Sequence, residues 1–186
     1  MAGPDAIDAV LDFWIDEIGV ERWYVSDPDI DRAIEERFGA LHAAAAAGGH
    51  RDWMLSARGA LALLILLDQF SRNLYRGDAR AFASDSEARR LAICAIGLGY
   101  DLRIAEPERQ FFYLPLMHSE SLSDQERCLR LFLLNCPATG GENVPHAIDH
   151  RTVIRRFGRF PSRNSALARG DTAAELAYRA DGGYMG

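Results

Sequence analysis

The sequence contains no lysine, and all 21 of its Lys/Arg positions are arginines. This absence excludes a lysine Schiff base and the lysine of a Walker-type phosphate loop. Cysteine is scarce, and the three that occur, Cys94, Cys128 and Cys136, form no C-x-x-C pair. Three cysteines in helical apolar patterns predict buried free thiols in a reducing compartment rather than a disulfide framework.

Long hydrophobic runs are missing too. The longest apolar stretch, residues 59–67, is far shorter than the roughly 20 residues that span a bilayer. The N-terminus has acidic residues where a secretory signal needs a basic start. The net charge of −6 argues against general attraction to nucleic acid or to anionic lipid. We therefore expect a soluble cytoplasmic protein with no nucleic-acid or membrane partner.

Charge is unevenly distributed along the chain. Residues 1–50 contain eleven acidic residues and three arginines, whereas residues 150–170 contain six arginines and no acidic residue. We expect the two regions to neutralise each other in part. The alternative is that the basic segment faces an anionic ligand.

Apolar spacing is helical nearly everywhere, and no segment alternates with the period of a strand. The pattern predicts an all-α fold in which about eight helices form an antiparallel array, with residues 1–186 as a single domain and residues 181–186 as a loose tail. The central helix should run from a Ser56 cap to about Asn73. Gly158 should end a later helix.

Local signals predict further helix boundaries. Pro4 and Gly19 should delimit the first helix, and another should cover about residues 107–117 with Pro115 kinking or ending it. Three capping boxes are predicted, in which a Ser or Thr is followed three positions later by Glu. They are Ser84 with Glu87, Ser123 with Glu126, and Thr172 with Glu175.

Asp68 is the most constrained polar residue, because it follows the most apolar run of the chain. A buried carboxylate needs a basic or donor partner. Arg72, one helical turn away, is the nearest choice, and Arg163 and Asn164 are others. The pair is either a structural tie between helices or a group that positions a ligand or a proton.

Three histidines are weak catalytic or metal-binding candidates. His118 and Glu120 point apart on a continuous helix but converge in a turn, which Pro115 makes plausible. Glu120 alternatively caps the next helix. His146 and His150 share one helix face, as metal ligands do, but Ala147 stands where H-E-x-x-H has its glutamate. We predict no metal and no cofactor.

Two segments resemble each other: Phe70-Ser71-Arg72-Asn73 and Phe160-Pro161-Ser162-Arg163-Asn164. Arginine presents a rigid fork of donors, and asparagine both donates and accepts. Such a pair beside core aromatic residues either caps structure from within or binds a ligand, and we expect the two corners to meet in space. The predicted ligand-binding residues are Asp68, Arg72, Asn73, Arg159, Arg163 and Asn164.

The chain resembles a mainly bacterial family known as domain of unknown function 924. The resemblance rests on residues 10–14, 66–73, 76–77, 81–83, 112–120, 124–125 and 156–164 and on His150. It implies a tetratricopeptide-like helical fold and carries no established activity, cofactor or catalytic residue. The family usually has Pro at the position of Ser71 and His at the position of Ser162.

Three possibilities stay open at this level, and in one of them every residue named above is architectural and function lies in an oligomer or a complex. The first is a non-enzymatic helical module that binds a protein segment or a small anion, since motifs for a nucleophile or a phosphate loop are missing. The second is a hydrolase or proton-transfer enzyme that uses His118 or His150 with a carboxylate. The second requires imidazole and carboxylate within hydrogen-bond reach in one cavity.

Overall fold

The computed structural model describes residues 4–184, and none of these residues is in a β-strand. The predicted all-α fold is therefore confirmed. The α-helices are α1 Pro4–Leu11, α2 Pro28–Ala46, α3 Ala57–Leu64, α4 Ser71–Leu74, α5 Asp85–Gly97, α6 Leu114–Met117, α7 Leu122–Asn135, α8 Gly140–Phe157 and α9 Ala173–Ala180. Because α3 and α4 form one continuous rod, the described residues contain eight separate segments, as expected. The tetratricopeptide-like relationship stays a prediction.

Two of these segments include π-helix. Asp12–Ile18 extends α1 to Gly19, whose φ of 73° ends the segment where the sequence predicted. Ile65–Phe70 joins α3 to α4, and the Ser56 hydroxyl caps the start of that rod by accepting from the Gly59 backbone N–H at 3.0 Å. The rod is buried along residues 59–71, and α1 and α5 pack against it.

The main core surrounds Phe70 at the end of the π-helical segment. The Phe70 ring lies 5.4 Å from Trp14 and 5.2 Å from Phe38. A smaller cluster of Val153, Ile154 and Phe160 lies at the end of α8. Each arginine-asparagine corner therefore begins at an aromatic residue anchored in apolar packing.

Two of the three predicted capping boxes are wrong. The Ser84 hydroxyl donates instead to the Leu67 carbonyl oxygen at 2.6 Å, so it does not cap α5. Helix α7 begins one residue before Ser123, which then lies inside its first turn. The box of Thr172 with Glu175 is confirmed, because both reciprocal hydrogen bonds form.

The predicted helix over residues 107–117 is also different. A 3₁₀ segment, Glu108–Phe112, precedes the single turn of α6. Pro115 lies in the first turn of α6, where a backbone N–H would have no acceptor within the helix. A proline therefore costs no helical hydrogen bond at this position. The turn ends at His118, which places that side chain at a helix terminus.

The expected pairing of the acidic and basic regions is wrong within the described residues. The arginines of the basic segment bind carboxylates outside residues 1–50: Arg151 binds Glu126, Arg159 binds Glu175, Arg163 binds Asp85 and Arg169 binds Glu120.

Cys128 and Cys136 are buried free thiols as predicted, but Cys94 is exposed on α5. Between residues 4 and 184, no helix has both the length and the apolar character needed to cross a membrane.

Candidate functional site

The site is built around Asp68, which is 1% exposed in the π-helical segment. Its Oδ1 lies 2.8 Å from Nδ1 of His118, and its Oδ2 accepts from Nε2 of Gln69 at 2.5 Å. Nη2 of Arg72 lies 3.6 Å from Oδ1. The carboxylate thus has the basic partner one turn away that the sequence predicted, and a second partner 50 positions later.

His118 has one occupied ring nitrogen and one open one. Since an ionised carboxylate can only accept, Nδ1 carries the proton and donates to Asp68. Nε2 has no hydrogen-bond partner among residues 4–184, and solvent reaches it. The backbone oxygen of His118 accepts from Nη2 of Arg163 at 2.8 Å, which holds the end of α6 in place.

Burial and the neighbouring charges determine both protonation states. Burial lowers the pKa of His118, and the nearby Arg72 guanidinium lowers it further. Burial alone would raise the pKa of Asp68, but its basic neighbours and its hydrogen bonds hold that pKa below the ordinary value. At neutral pH the pair is therefore a carboxylate beside a neutral imidazole.

His150 on α8 faces the same space. Its ring lies 6.4 Å from that of His118, and it packs against Phe160 at 5.3 Å and Tyr184 at 5.2 Å. Nδ1 donates to the His146 carbonyl oxygen at 2.8 Å, so Nε2 is left as an acceptor. Burial lowers the pKa of His150 to about 4, with a contribution from His118.

The two corners meet through their arginines. Arg72 binds Asp85 through both Nη atoms, at 3.0 and 3.3 Å, and Arg163 binds the same carboxylate at 3.2 Å. The Arg163 guanidinium lies over the rings of Phe82 and Phe160, with its Cζ 4.7 and 4.6 Å from their centroids. Residues almost 100 positions apart thus share one acidic partner.

Two neighbouring cavities open at this junction and share His118 and His150. The larger, about 410 Å³, is bordered by Arg72, Phe82, Phe160 and Arg163. The smaller, about 260 Å³, is bordered by Leu114, Met117 and Tyr184. A third cavity of about 600 Å³ continues from the smaller one, with which it shares Tyr24, Asn143 and His146. We refer to these three adjoining cavities together as the groove.

Four predicted site residues lie outside this groove and hold structure together. Nδ2 of Asn73 donates to Asp31 at 2.8 Å, and Nδ2 of Asn164 donates to Asp171 at 2.7 Å. Arg159 binds Glu175 through two donors, at 2.7 and 2.8 Å. Glu120 does not orient His118; it binds Arg169 and accepts from the Phe160 backbone N–H at 2.8 Å.

Sequence reasoning missed three residues of the site. Asp85 follows Ser84 at the start of α5, so its charge was fully explained by a helix N-terminus. Phe82 lies in a short 3₁₀ turn with no periodic signal. Tyr184 lies in the segment expected to be loose, yet its hydroxyl is 3.2 Å from Nδ1 of His146; the rest of that tail, residues 185–186, lies outside the described residues.

The pair of histidines on one face of α8, His146 and His150, is committed to other partners. No cluster of three or more His, Cys, Asp or Glu side chains within residues 4–184 has a geometry that could hold a metal ion. Nδ1 of His150 is turned toward its own helix, and His146 binds Tyr184.

Comparison with known proteins agrees with the fold. No curated protein matches the chain. It is similar to a solved structure of a protein of unknown function from Agrobacterium tumefaciens, with 40% sequence identity, a TM-score of 0.89, and coverage of 95% of this chain and 98% of that one. A family model described as bacterial protein of unknown function (DUF924) matches residues 10–183. The chain therefore belongs to the DUF924 family of bacterial proteins.

Proposed function

We propose that this protein is an enzyme in which His118 acts as general base and general acid, with Asp68 as the residue that orients it. The observation that supports the proposal is the 2.8 Å contact between Nδ1 and a buried carboxylate, while Nε2 is open to the groove. A carboxylate on one ring nitrogen sets the tautomer and makes the other nitrogen a better base.

The reaction class follows from what lies next to His118. Among the described residues, no hydroxyl or thiol is hydrogen-bonded to its ring. The proposed base therefore acts on a water molecule or on a proton of the substrate itself. Hydrolysis by an activated water and proton transfer within a substrate are the two reactions that fit.

His150 has a supporting role in this proposal. Its pKa of about 4 keeps it neutral at physiological pH. With Nδ1 committed to the His146 carbonyl oxygen, Nε2 accepts a hydrogen bond from a hydroxyl or an amide of a bound substrate. Both rings border the same two cavities, so a substrate bound there can contact both.

A test compares the turnover of carboxylic esters, phosphate esters and enolisable keto acids by the wild-type protein and by two variants. His118→Gln and Asp68→Asn should each lower kcat by about 10²-fold or more, since general acid–base catalysis contributes about 10²–10⁴. His50→Asn is the matched control. His50 borders none of the three cavities and adopts a φ of 58°, which asparagine tolerates.

The turnover comparison either supports or overturns the proposed role of His118. Turnover that depends on His118 and Asp68 but not on His50 supports the proposal. Turnover that survives in His118→Gln, or no turnover of any of these probes by the wild-type protein, overturns it.

A second candidate is binding without catalysis, of a protein segment or a small anion. The continuity of the three cavities favours it, because a groove with shared borders suits an extended ligand. Asp68, Arg72 and Arg163 remain proposed ligand-positioning residues in both functions. Binding of a ligand at equal affinity by wild type and His118→Gln, with no turnover, would favour this candidate.

A further inference from the structure

The cavity of about 410 Å³, called the larger cavity because it is the larger of the two that share His118 and His150, is bordered, among residues 4–184, by basic but not by acidic side chains. Every ionisable residue that borders it is basic: Arg72, Arg76, His118, His150 and Arg163. Among the residues that the structure describes, no carboxylate is part of this wall. Asp85 binds Arg72 and Arg163, Asp68 binds His118, and Asp31 binds Arg76, and none of these three carboxylates borders the cavity.

Arg163 has donors to spare. A guanidinium carries five N–H groups. Nη1 donates to Asp85 and Nη2 donates to the His118 backbone oxygen, and no other acceptor in the described chain binds this side chain. Three N–H groups therefore remain for a ligand. The guanidinium also lies over the rings of Phe82 and Phe160, which limit its movement, and it borders the cavity where a ligand would reach the remaining N–H groups.

The charges of the site balance only while it is empty. Two guanidiniums, Arg72 and Arg163, are matched by two carboxylates, Asp68 and Asp85. The imidazole of His118 is neutral at physiological pH. An anion bound at the edge of Arg163 adds one negative charge to a partly desolvated space, and protonation of His118 is the nearest change that restores neutrality.

We infer that the larger cavity binds an oxyanion of the substrate, a carboxylate or a phosphate group, through the free edge of Arg163, and that binding is accompanied by uptake of one proton at Nε2 of His118. The inference deepens the proposed function and rests on it, since the proton taken up is the one that His118 would donate as general acid. It narrows the substrate class to anions.

Several groups face His118 from the surrounding elements and act on the same equilibrium. Asp68 favours its charged form and Arg72 disfavours it, while Asp85, His150 and Arg163 are farther neighbours. Tyr24 borders the smaller cavity with it. The bound anion must therefore raise the pKa of His118 by more than the neighbouring guanidiniums lower it. Because Arg163 binds the anion, the link between anion binding and protonation of His118 depends on Arg163 and not on burial alone.

The experiment measures the pKa of the His118 imidazole by NMR in the presence of sulfate and of trifluoroacetate, a carboxylate, both of which stay ionised throughout the pH titration. Saturation should raise the pKa of His118 by at least one pH unit, and Arg163→Gln should abolish the rise. Arg32→Gln is the matched control, because Arg32 is an exposed helix-surface residue paired only with Asp29. Arg163→Lys serves if the glutamine variant does not fold; it should weaken binding at least tenfold, since lysine lacks the planar fork.

The outcomes separate this inference from the proposed function. A His118 pKa that does not respond to either anion, or that responds equally in Arg163→Gln, overturns the inference. If neutral substrates are still turned over through His118 in that case, catalysis stands and anion specificity falls. An anion response without His118-dependent turnover removes the catalytic proposal and leaves the anion site.

Discussion

Two buried imidazoles of this protein make similar short contacts, yet only one is open for chemistry. Nε2 of His42 lies 2.7 Å from the Ser71 hydroxyl, and Nδ1 of His118 lies 2.8 Å from Asp68. Burial lowers the pKa of both rings. Nδ1 of His42 is enclosed without a partner, whereas solvent reaches the second nitrogen of His118. His118 therefore differs from His42 in its access to solvent and in its charged partner Asp68, and not in the length of its hydrogen bond.

The His42 cluster has a structural purpose. The hydroxyls of Ser71 and Ser84 lie 2.7 and 2.6 Å from the Leu67 carbonyl oxygen. Because Nδ1 of His42 is enclosed with no acceptor among the described residues, we expect the ring proton on Nε2, which donates to Ser71; this is the opposite tautomer to that of His118. Since Ser71 and Ser84 directly precede Arg72 and Asp85, this network holds the two segments that carry that ion pair in register.

The largest effect should come from removing the charged partner. Asp68→Ala should lower the free energy of unfolding by about 3–5 kcal/mol, because it leaves Gln69 and His118 without their acceptor and leaves Arg72 with Asp85 as its one remaining carboxylate partner. Urea denaturation measures the loss. Asp29→Ala, which removes an exposed carboxylate on the surface of α2, should cost at most about 1 kcal/mol. Equal losses in the two variants would contradict the burial argument.

The next effect is a loss of stability in acid. The folded-state pKa of His150 is about 4, below the 6.5 of an unperturbed histidine, so the unfolded chain binds the proton first as the pH falls. The contribution of neutral His150 to the free energy of unfolding is fully present above pH 6.5 and is lost as the pH falls toward 4. His150→Gln should reduce this decrease by about 3 kcal/mol. Urea midpoints from pH 4 to pH 8 test it; an unchanged pH dependence would contradict it.

A smaller effect is expected at the closed imidazole. Ser71→Ala should cost about 1–3 kcal/mol, because it leaves His42 without a partner in the interior. The variant should not change the rate at which His118 reacts with diethyl pyrocarbonate. A slowed or accelerated reaction would show that the two imidazoles are not separate.

The smallest effect on stability belongs to the open imidazole itself. His118→Gln should cost about 1 kcal/mol or less, since a glutamine amide can still donate to Asp68. Thermal and urea unfolding against Ser71→Ala give the comparison. A loss as large as that of Ser71→Ala would mean that His118 is as structural as His42.

Most of the fold could be predicted from local patterns. Gly19, Ser56 and Gly158 mark segment boundaries through backbone conformation or a single capping bond, and these signals lie within a few residues of the feature they determine. The capping box at Ser84 failed because a carbonyl oxygen 17 positions earlier competes for the same hydroxyl. Local sequence carries no information on that competitor.

The site was predictable only in part for the same reason. Asp68 was found because a charge inside an apolar run must have a partner, and Arg72 because it lies one turn away. The choice between Glu120 and Asp68 as the partner of His118 depends on tertiary packing. Arg163 and Asn164 have neighbouring positions in the second corner, yet one faces the groove and the other binds Asp171.

The central claim is that Asp68 holds His118 as a neutral imidazole with the proton on Nδ1 and with Nε2 open. Two-bond ¹H–¹⁵N correlation spectra of the imidazole rings at pH 7.5 test it directly. The account predicts the Nδ1–H form for His118 and the Nε2–H form for His42, with the His118 preference lost in Asp68→Asn. An Nε2–H form at His118, or a preference unchanged by Asp68→Asn, would contradict it.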